Sequence, residues 1–166
     1  VPDTRIKRIY NLGKELNWNV DVDLDWENGM ISKDQFPTDE KYNPYLGFKP
    51  YEDLSHEQKV EFSWHRAALV ASGALHGEQG ALLVAAQLTS CAPSYEAKLY
   101  AASQTFDEAR HVEFFNKYIQ KQIGIMYPVG VGLKNLMDKI LTDERWDLKF
   151  IGMQIVIEGL ALAAFN

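Results

Sequence analysis

The stretch Gln104-Thr-Phe-Asp-Glu-Ala-Arg-His-Val-Glu113 places a carboxylate and an imidazole three residues apart, at Glu108 and His111. Residues three apart on an α-helix lie on one face in adjacent turns, so these two side chains can converge on one point. Carboxylate oxygens and imidazole nitrogens are both ligands for first-row transition metals. The stretch therefore predicts a helix that presents a metal-binding pair.

Two further glutamates interrupt apolar helical faces on either side of this stretch. Glu78 lies between Leu75 and Leu82 at helical spacing, and Glu158 is the only charged residue in the run 150–165. An unpaired buried carboxylate is costly, so it usually shifts its pKa or acquires a cation. The three glutamates and the histidine are therefore the predicted metal ligands, and Gln104, one turn before the second glutamate, is a candidate neighbour of the site.

The spacing of apolar residues after residue 54 predicts an all-α fold with a helical bundle as its architecture. Ser55 and Gln58 form a capping-box pattern that opens a long helix ending at Ala92. Pro93 is expected in the first turn of a second helix, and Gly124 is expected to end that helix.

Two more helices are predicted toward the end of the chain. The first spans about 133–141, and the second runs from a cap at Thr142 or Asp143 to the chain end. Residues 54–166 are thus assigned to the bundle. Residues 1–53, rich in tryptophan and proline, are assigned to an irregular arm, with the alternating segment 20–25 extended on the helical body rather than paired in a sheet.

Composition restricts the partners and the compartment. The chain has 166 residues, a length typical of one domain, with 46% hydrophobic and 24% charged residues. A net charge of -6 argues against nucleic acid and anionic membrane surfaces as partners. The single cysteine, Cys91, excludes an internal disulfide, and no run reaches the ~20 apolar residues of a membrane span. We expect a soluble, cytoplasmic protein.

Three segments together resemble the ferritin-like diiron-carboxylate proteins, near the small subunit of ribonucleotide reductase and the bacterial diiron oxygenases. They are His76-Gly-Glu-Gln-Gly-Ala-Leu82, the stretch 104–113, and Ile157-Glu-Gly-Leu-Ala-Leu162. The resemblance implies a four-helix bundle around two metals, iron in most members, that activate dioxygen to oxidise an organic substrate. An electron-donor protein is the implied partner, and a mixed Mn/Fe centre is the alternative metal content.

The resemblance also implies a role for each residue. Glu78 and His111 would be terminal ligands of the first metal, Glu108 would bridge both metals, and Glu158 would serve the second. Asp107 resembles the acid that holds a ligand histidine through its other ring nitrogen.

The family pattern contains a second Glu-x-x-His that this sequence does not supply. The bundle is therefore expected to be incomplete in this chain, through truncation or because a homodimer or a second chain completes the site. The alternatives to an oxygenase are an iron-handling protein and a metal-free structural or partner subunit. In the metal-free case Glu158 would pair with Arg110 or Lys149.

Overall fold

The computed structural model describes residues 4–165, which form a helical bundle without strands. The all-α prediction is confirmed. No helix in this range has the length and apolar character needed to cross a membrane. The helices are α1 (Thr4–Glu15), α2 (Lys49–Glu52), α3 (His56–Cys91), α4 (Tyr95–Tyr118), α5 (Val131–Thr142), α6 (Trp146–Phe150) and α7 (Glu158–Phe165), with a 3₁₀ turn at Glu40–Tyr42 and π-helical turns at Ile119–Ile123 and Ile151–Ile157.

Helix α3 is the longest element, and its two ends are where the sequence predicts them. The Ser55 hydroxyl accepts a hydrogen bond from the Gln58 amide at 3.3 Å, and the Gln58 side chain accepts one from the Ser55 amide at 2.9 Å. This reciprocal pair satisfies two donors at the helix start. The helix ends at Ala92, whose amide donates to the Leu88 carbonyl.

Helix α4 packs against α3 and begins two residues later than predicted. Ser94 caps it by accepting a hydrogen bond from the Ala97 amide at 3.1 Å, so Pro93 lies before the cap rather than in the first turn. The π turn Ile119–Ile123 follows α4, and Gly124 ends it in the left-handed conformation with a φ of 75°. The predicted stop at this glycine is confirmed.

Helix α1 corrects the prediction of an irregular arm over residues 1–53. Residues 4–15 contain no proline, and Ile6, Ile9 and Tyr10 have the spacing of a helical face. Helix α1 lies against α4, where a Cβ on Gly13 would be 3.7 Å from the Ser103 side chain. The remainder of the arm consists mostly of turns, together with the 3₁₀ turn and α2.

The last helical rod, residues 146–165, is interrupted by π-helical turns and does not start at the predicted cap. Its N-cap is Arg145, without a side-chain bond, and Asp143 instead pairs with the Arg145 guanidinium at 3.0 Å. The π turns immediately precede Glu158. Gly152 allows them to approach α5, because a Cβ there would lie 2.8 Å from Ile140.

Two apolar clusters form the core, and α3 contributes to both of them. The first cluster uses α3 residues up to Leu75, and the second uses α3 residues from Ala81 onward. Glu78 lies on α3 between the two clusters. The predicted metal ligand is therefore at a gap in the apolar packing, with hydrophobic support on both sides.

Lys149 is a buried cation that joins three elements of the fold. Its ammonium group donates to the Gln87 side chain at 2.7 Å and to the carbonyls of Ile140 and Leu141 at 3.0 and 2.9 Å. These two carbonyls belong to the last turn of α5, where helical carbonyls lack intrahelical donors and a positive charge is favourable. Lys149 thus attaches the last helical rod to α5 and α3.

We expect Lys149→Met to lower the free energy of unfolding by about 2–3 kcal/mol, because it leaves three acceptors without their charged donor. Lys134→Met is the matched control, since Lys134 forms only an exposed pair with Asp138. The control is expected to change stability by less than about 0.5 kcal/mol. Equal denaturation midpoints for both variants would contradict the assignment of Lys149 as a structural cation.

Candidate metal centre

Three of the four predicted ligands meet between α3 and α4. His111 Nδ1 lies 3.1 Å from a carboxylate oxygen of Glu108 and 3.4 Å from one of Glu78. Ligand atoms of all three residues lie within 4.8 Å of one another. Since the same ring nitrogen faces both carboxylates, Nδ1 is the histidine atom directed at a shared ion.

Burial and hydrogen bonding define the state of Glu108. The residue is only 5% exposed, and Gln104, one turn earlier on α4, donates its Nε2 to a Glu108 oxygen at 3.2 Å. The predicted proximity of Gln104 to the site agrees with this contact. Burial alone would raise the pKa of Glu108, but hydrogen bonds from His111 and Glu78 outweigh it and hold this pKa below its usual range.

The other two groups of the cluster have raised pKa values. Hydrogen bonds to Glu108 and then to Glu78 raise the pKa of His111 to about 9, against the opposing effect of its burial. Burial raises the pKa of Glu78, and the nearby Glu108 carboxylate adds to that effect. The metal-free cluster therefore holds protons where a metal ion would supply positive charge.

Glu158 lies near this cluster but outside its closest group. Burial, followed by the charges of Glu108 and Glu78, raises the pKa of its carboxyl group. The hydrogen bonds and ion pairs of residues 4–165 include none to this carboxylate. Glu158 remains a predicted ligand.

An apolar cavity of about 440 Å³ joins Glu78 to Glu158. Its walls come from α3, α5, the last π turn and α7, and both carboxylate residues are part of the lining. On α3, Gly73 and Gly77 lie one turn apart in this lining, and a Cβ at either would meet no atom within 4 Å. The remaining lining residues are Val70, Ala74, Ala81, Gly132, Leu133, Leu136, Ile157, Leu160 and Ala161.

The role expected for Asp107, holding a ligand histidine through its other ring nitrogen, stays a prediction. Its carboxylate pairs with the Arg110 guanidinium, three residues on, and not with His111. Arg110 also donates to the Trp18 carbonyl at 2.9 Å. The i,i+3 spacing on α4 favours this local ion pair over a contact with the histidine ring.

The charged partners proposed for Glu158 in a metal-free protein are both occupied elsewhere. Arg110 contacts Asp107 and Trp18, and Lys149 contacts the end of α5 and Gln87. The expectation that either residue neutralises Glu158 is therefore wrong.

Two aromatic residues near the site were not predicted as part of it. The Trp18 ring stacks on the His111 ring, with centroids 6.3 Å apart and an interplanar angle of 28°. Burial and then the charges of Glu108 and Glu158 raise the pKa of Tyr100. Trp18 is separated from His111 by 93 residues, so no local pattern could have revealed this contact.

The residues present fit a first-row metal ion. The cluster offers carboxylate oxygens and one imidazole nitrogen, a donor set suited to iron or manganese and unlike the thiolate sites of structural zinc. The pKa values of Glu78 and His111 are both raised, so protonated His111 is the positive group of the cluster when no metal is bound. A bound metal ion would add positive charge beside the Glu78 and Glu108 carboxylates, which burial makes costly to leave unpaired.

The helical bundle and the carboxylate–histidine cluster define a ferritin-like protein of the diiron oxygenase class. The sequence model of the family described as P-aminobenzoate N-oxygenase AurF matches residues 3–155. The chain therefore belongs to the AurF family. Glu78, Glu108 and His111 lie within the matched residues, and Glu158 lies three residues beyond them.

A search of the curated proteins gave no significant match, and a search of the solved structures gave none either.

The raised pKa of His111 makes metal affinity dependent on pH. A metal ion must displace the His111 proton below about pH 9, so the association constant for Mn²⁺ should rise about tenfold per pH unit from 7 to 9. Calorimetric titration of metal-free protein at several pH values measures this slope. A flat profile above pH 7 would show that the histidine is already neutral, as an unperturbed one is.

The raised pKa of His111 has the opposite effect on the folding stability of the metal-free protein, which should fall as the pH rises. Because the folded pKa of His111 exceeds the ordinary 6.5, its charged form stabilises the metal-free fold below pH 6.5, and this contribution is lost as the pH rises through about 9.

Proposed function

We propose that this chain is a diiron oxygenase that transfers oxygen to the nitrogen of a small aromatic amine. The observation that carries the proposal is the apolar cavity of about 440 Å³ with Glu78 and Glu158 in its wall. Aliphatic walls suit an aromatic ring, and the acidic groups are present only where the lining meets the predicted metal ligands. The family description, an N-oxygenase of an aromatic amine, supports nitrogen as the atom oxidised.

Four residues would hold the metals. Glu78 and His111 would be terminal ligands of one ion, Glu108 would bridge, and Glu158 would serve the second ion from α7. Two iron ions, or one manganese and one iron, supply dioxygen activation when bound. Gln104 would keep the Glu108 carboxylate oriented through its 3.2 Å hydrogen bond.

The stoichiometry of the reaction requires an electron donor. Conversion of an amine to a hydroxylamine inserts one oxygen atom of dioxygen into an N–H bond and reduces the other atom to water. The reduction consumes two electrons and two protons, which a separate cytoplasmic donor protein would supply. The apolar walls would hold the aromatic ring beside the predicted metal ligands while this occurs.

The other candidate functions receive less support. A metal-free role required a charged partner for Glu158, and both expected partners are engaged elsewhere. An iron-handling role gives no reason for an apolar cavity beside the ligands. We therefore favour oxidation of an organic substrate.

We expect the iron-loaded full-length protein to convert aniline-type amines to hydroxylamines in a single turnover after chemical reduction and exposure to ¹⁸O₂. Mass spectrometry should find one ¹⁸O in the product. Glu108→Gln should abolish the product, whereas Glu113→Gln, an exposed glutamate on the same helix, should retain it. Iron-loaded protein that consumes dioxygen without oxidising any amine in the panel would contradict nitrogen oxidation.

The cavity itself can be tested by filling it from α3. We expect Gly73→Leu to lower kcat/KM for the amine about tenfold or more while leaving iron content unchanged, because the new side chain enters open space in the lining. Leucine also favours helix formation over glycine, so lost stability would not explain the effect.

The control is Gly159→Leu on α7, where a Cβ also meets open space but the residue does not line the cavity. Equal kcat/KM values for Gly73→Leu and wild type would show that the substrate binds elsewhere.

A further inference from the structure

Gln154 has a buried amide donor without an acceptor. Among residues 4–165, two buried side-chain nitrogens lack a hydrogen-bond partner, Arg110 Nε and Gln154 Nε2. Arg110 uses its other nitrogens on Trp18 and Asp107, whereas no hydrogen bond is formed by the Gln154 Nε2 group. Buried polar groups are nearly always paired in folded proteins, so an unpaired one calls for an explanation.

The nearby Glu158 carboxylate has no side-chain or backbone donor among the described residues. The residue is half-buried and lines the apolar cavity. It lies four residues after Gln154 on the same helical rod. The buried Gln154 donor and the Glu158 carboxylate are thus about one turn apart in the sequence of the rod.

On α4, Gln104 and Glu108 show the hydrogen bond that a glutamine and a glutamate at this spacing can form. Gln104 lies four residues before Glu108, and its Nε2 donates to a Glu108 oxygen at 3.2 Å. Gln154 and Glu158 have the same residue types at the same spacing. The difference is that Glu108 already faces positive His111, whereas Glu158 has no such neighbour within hydrogen-bonding distance.

We propose that Gln154 is the positioning residue of Glu158, donating its Nε2–H to the Glu158 carboxylate when that carboxylate binds metal. This inference rests on the proposed function, in which Glu158 is a ligand of the second metal. Gln154 would then act on Glu158 as Gln104 acts on Glu108, so that each half of the site has its own glutamine. The π turns Ile151–Ile157 place both residues on this rod where it meets α5.

Replacing Gln154 should have opposite effects on the metal-free and the metal-bound protein. Without metal the Gln154 amide donor makes no hydrogen bond, so an apolar side chain of similar size should leave the melting temperature equal or higher. With metal the same substitution removes a hydrogen bond to a ligand, and losses of this kind weaken metal affinity about 10–100-fold. A purely structural glutamine would show the reverse pattern.

The test is calorimetric titration of Mn²⁺ into the metal-free full-length protein, with the melting temperature of the metal-free form as a second readout. Gln154→Met should weaken binding at the Glu158 site about tenfold or more and should not lower the metal-free melting temperature. The Glu158 site is identified as the binding step that Glu158→Gln removes. Gln120→Met, an exposed glutamine in the other π turn, is the matched control and should match wild type.

A double-mutant cycle shows whether Gln154 acts through Glu158. In the Glu158→Gln background, Gln154→Met should have no further effect on Mn²⁺ binding. Unchanged affinity in the single variant, or the same loss in both backgrounds, would overturn the inference. A melting temperature several degrees lower in both Gln154→Met and Gln154→Leu would also overturn it, in favour of a structural role.

These outcomes are distinguishable from failure of the proposed function. If wild-type protein binds no Mn²⁺, the metal site itself is wrong and the inference falls with it. If wild-type protein binds Mn²⁺ and Gln154→Met binds it equally well, only the role of Gln154 is wrong.

Discussion

Glu78, Glu108 and His111 meet where α3 packs against α4, and their charges have to be balanced there. Two carboxylates and an imidazole within 4.8 Å of one another, at a gap between two apolar clusters, need positive charge that His111 alone supplies in the metal-free state. The raised pKa of His111 is the direct sign of that need. The packing of α3 against α4 brings the three residues together, because Glu78 is on one helix and the other two are on its neighbour.

Neighbouring residues fix the orientation of the cluster and of the helical rod that carries Glu158. Gln104 fixes the orientation of the Glu108 carboxylate, and Trp18 of the arm covers the His111 ring. Lys149 attaches the helical rod that carries Glu158 to α5 and α3. The apolar cavity then forms on the side of α3 where glycines leave room beside Glu78. A reactive centre beside an apolar cavity is a suitable arrangement for oxidising a small organic molecule.

The sequence was sufficient to predict the parts of this structure that depend on local spacing. The capping box at Ser55, the stop at Gly124 and the Glu-x-x-His pair on α4 are patterns within one helix, and all three hold in the structure. Helix α1 differs from the prediction because the prolines and aspartates that indicate an irregular arm lie between residues 18 and 50, outside Thr4–Glu15. The contacts of Arg110 and Lys149, which the metal-free alternative assigned to Glu158, depend on which of several acceptors lies nearest in three dimensions, and spacing does not reveal that.

The amount of iron in the intact protein tests the central claim most directly. We expect protein loaded anaerobically with Fe²⁺ and freed of excess metal to retain about one iron per chain or more, through the oxygen and imidazole ligands that such metals prefer. Glu108→Gln should lose this iron while remaining folded. Less than one iron per chain in the wild-type protein would contradict the account, as would full retention of iron in the Glu108 variant.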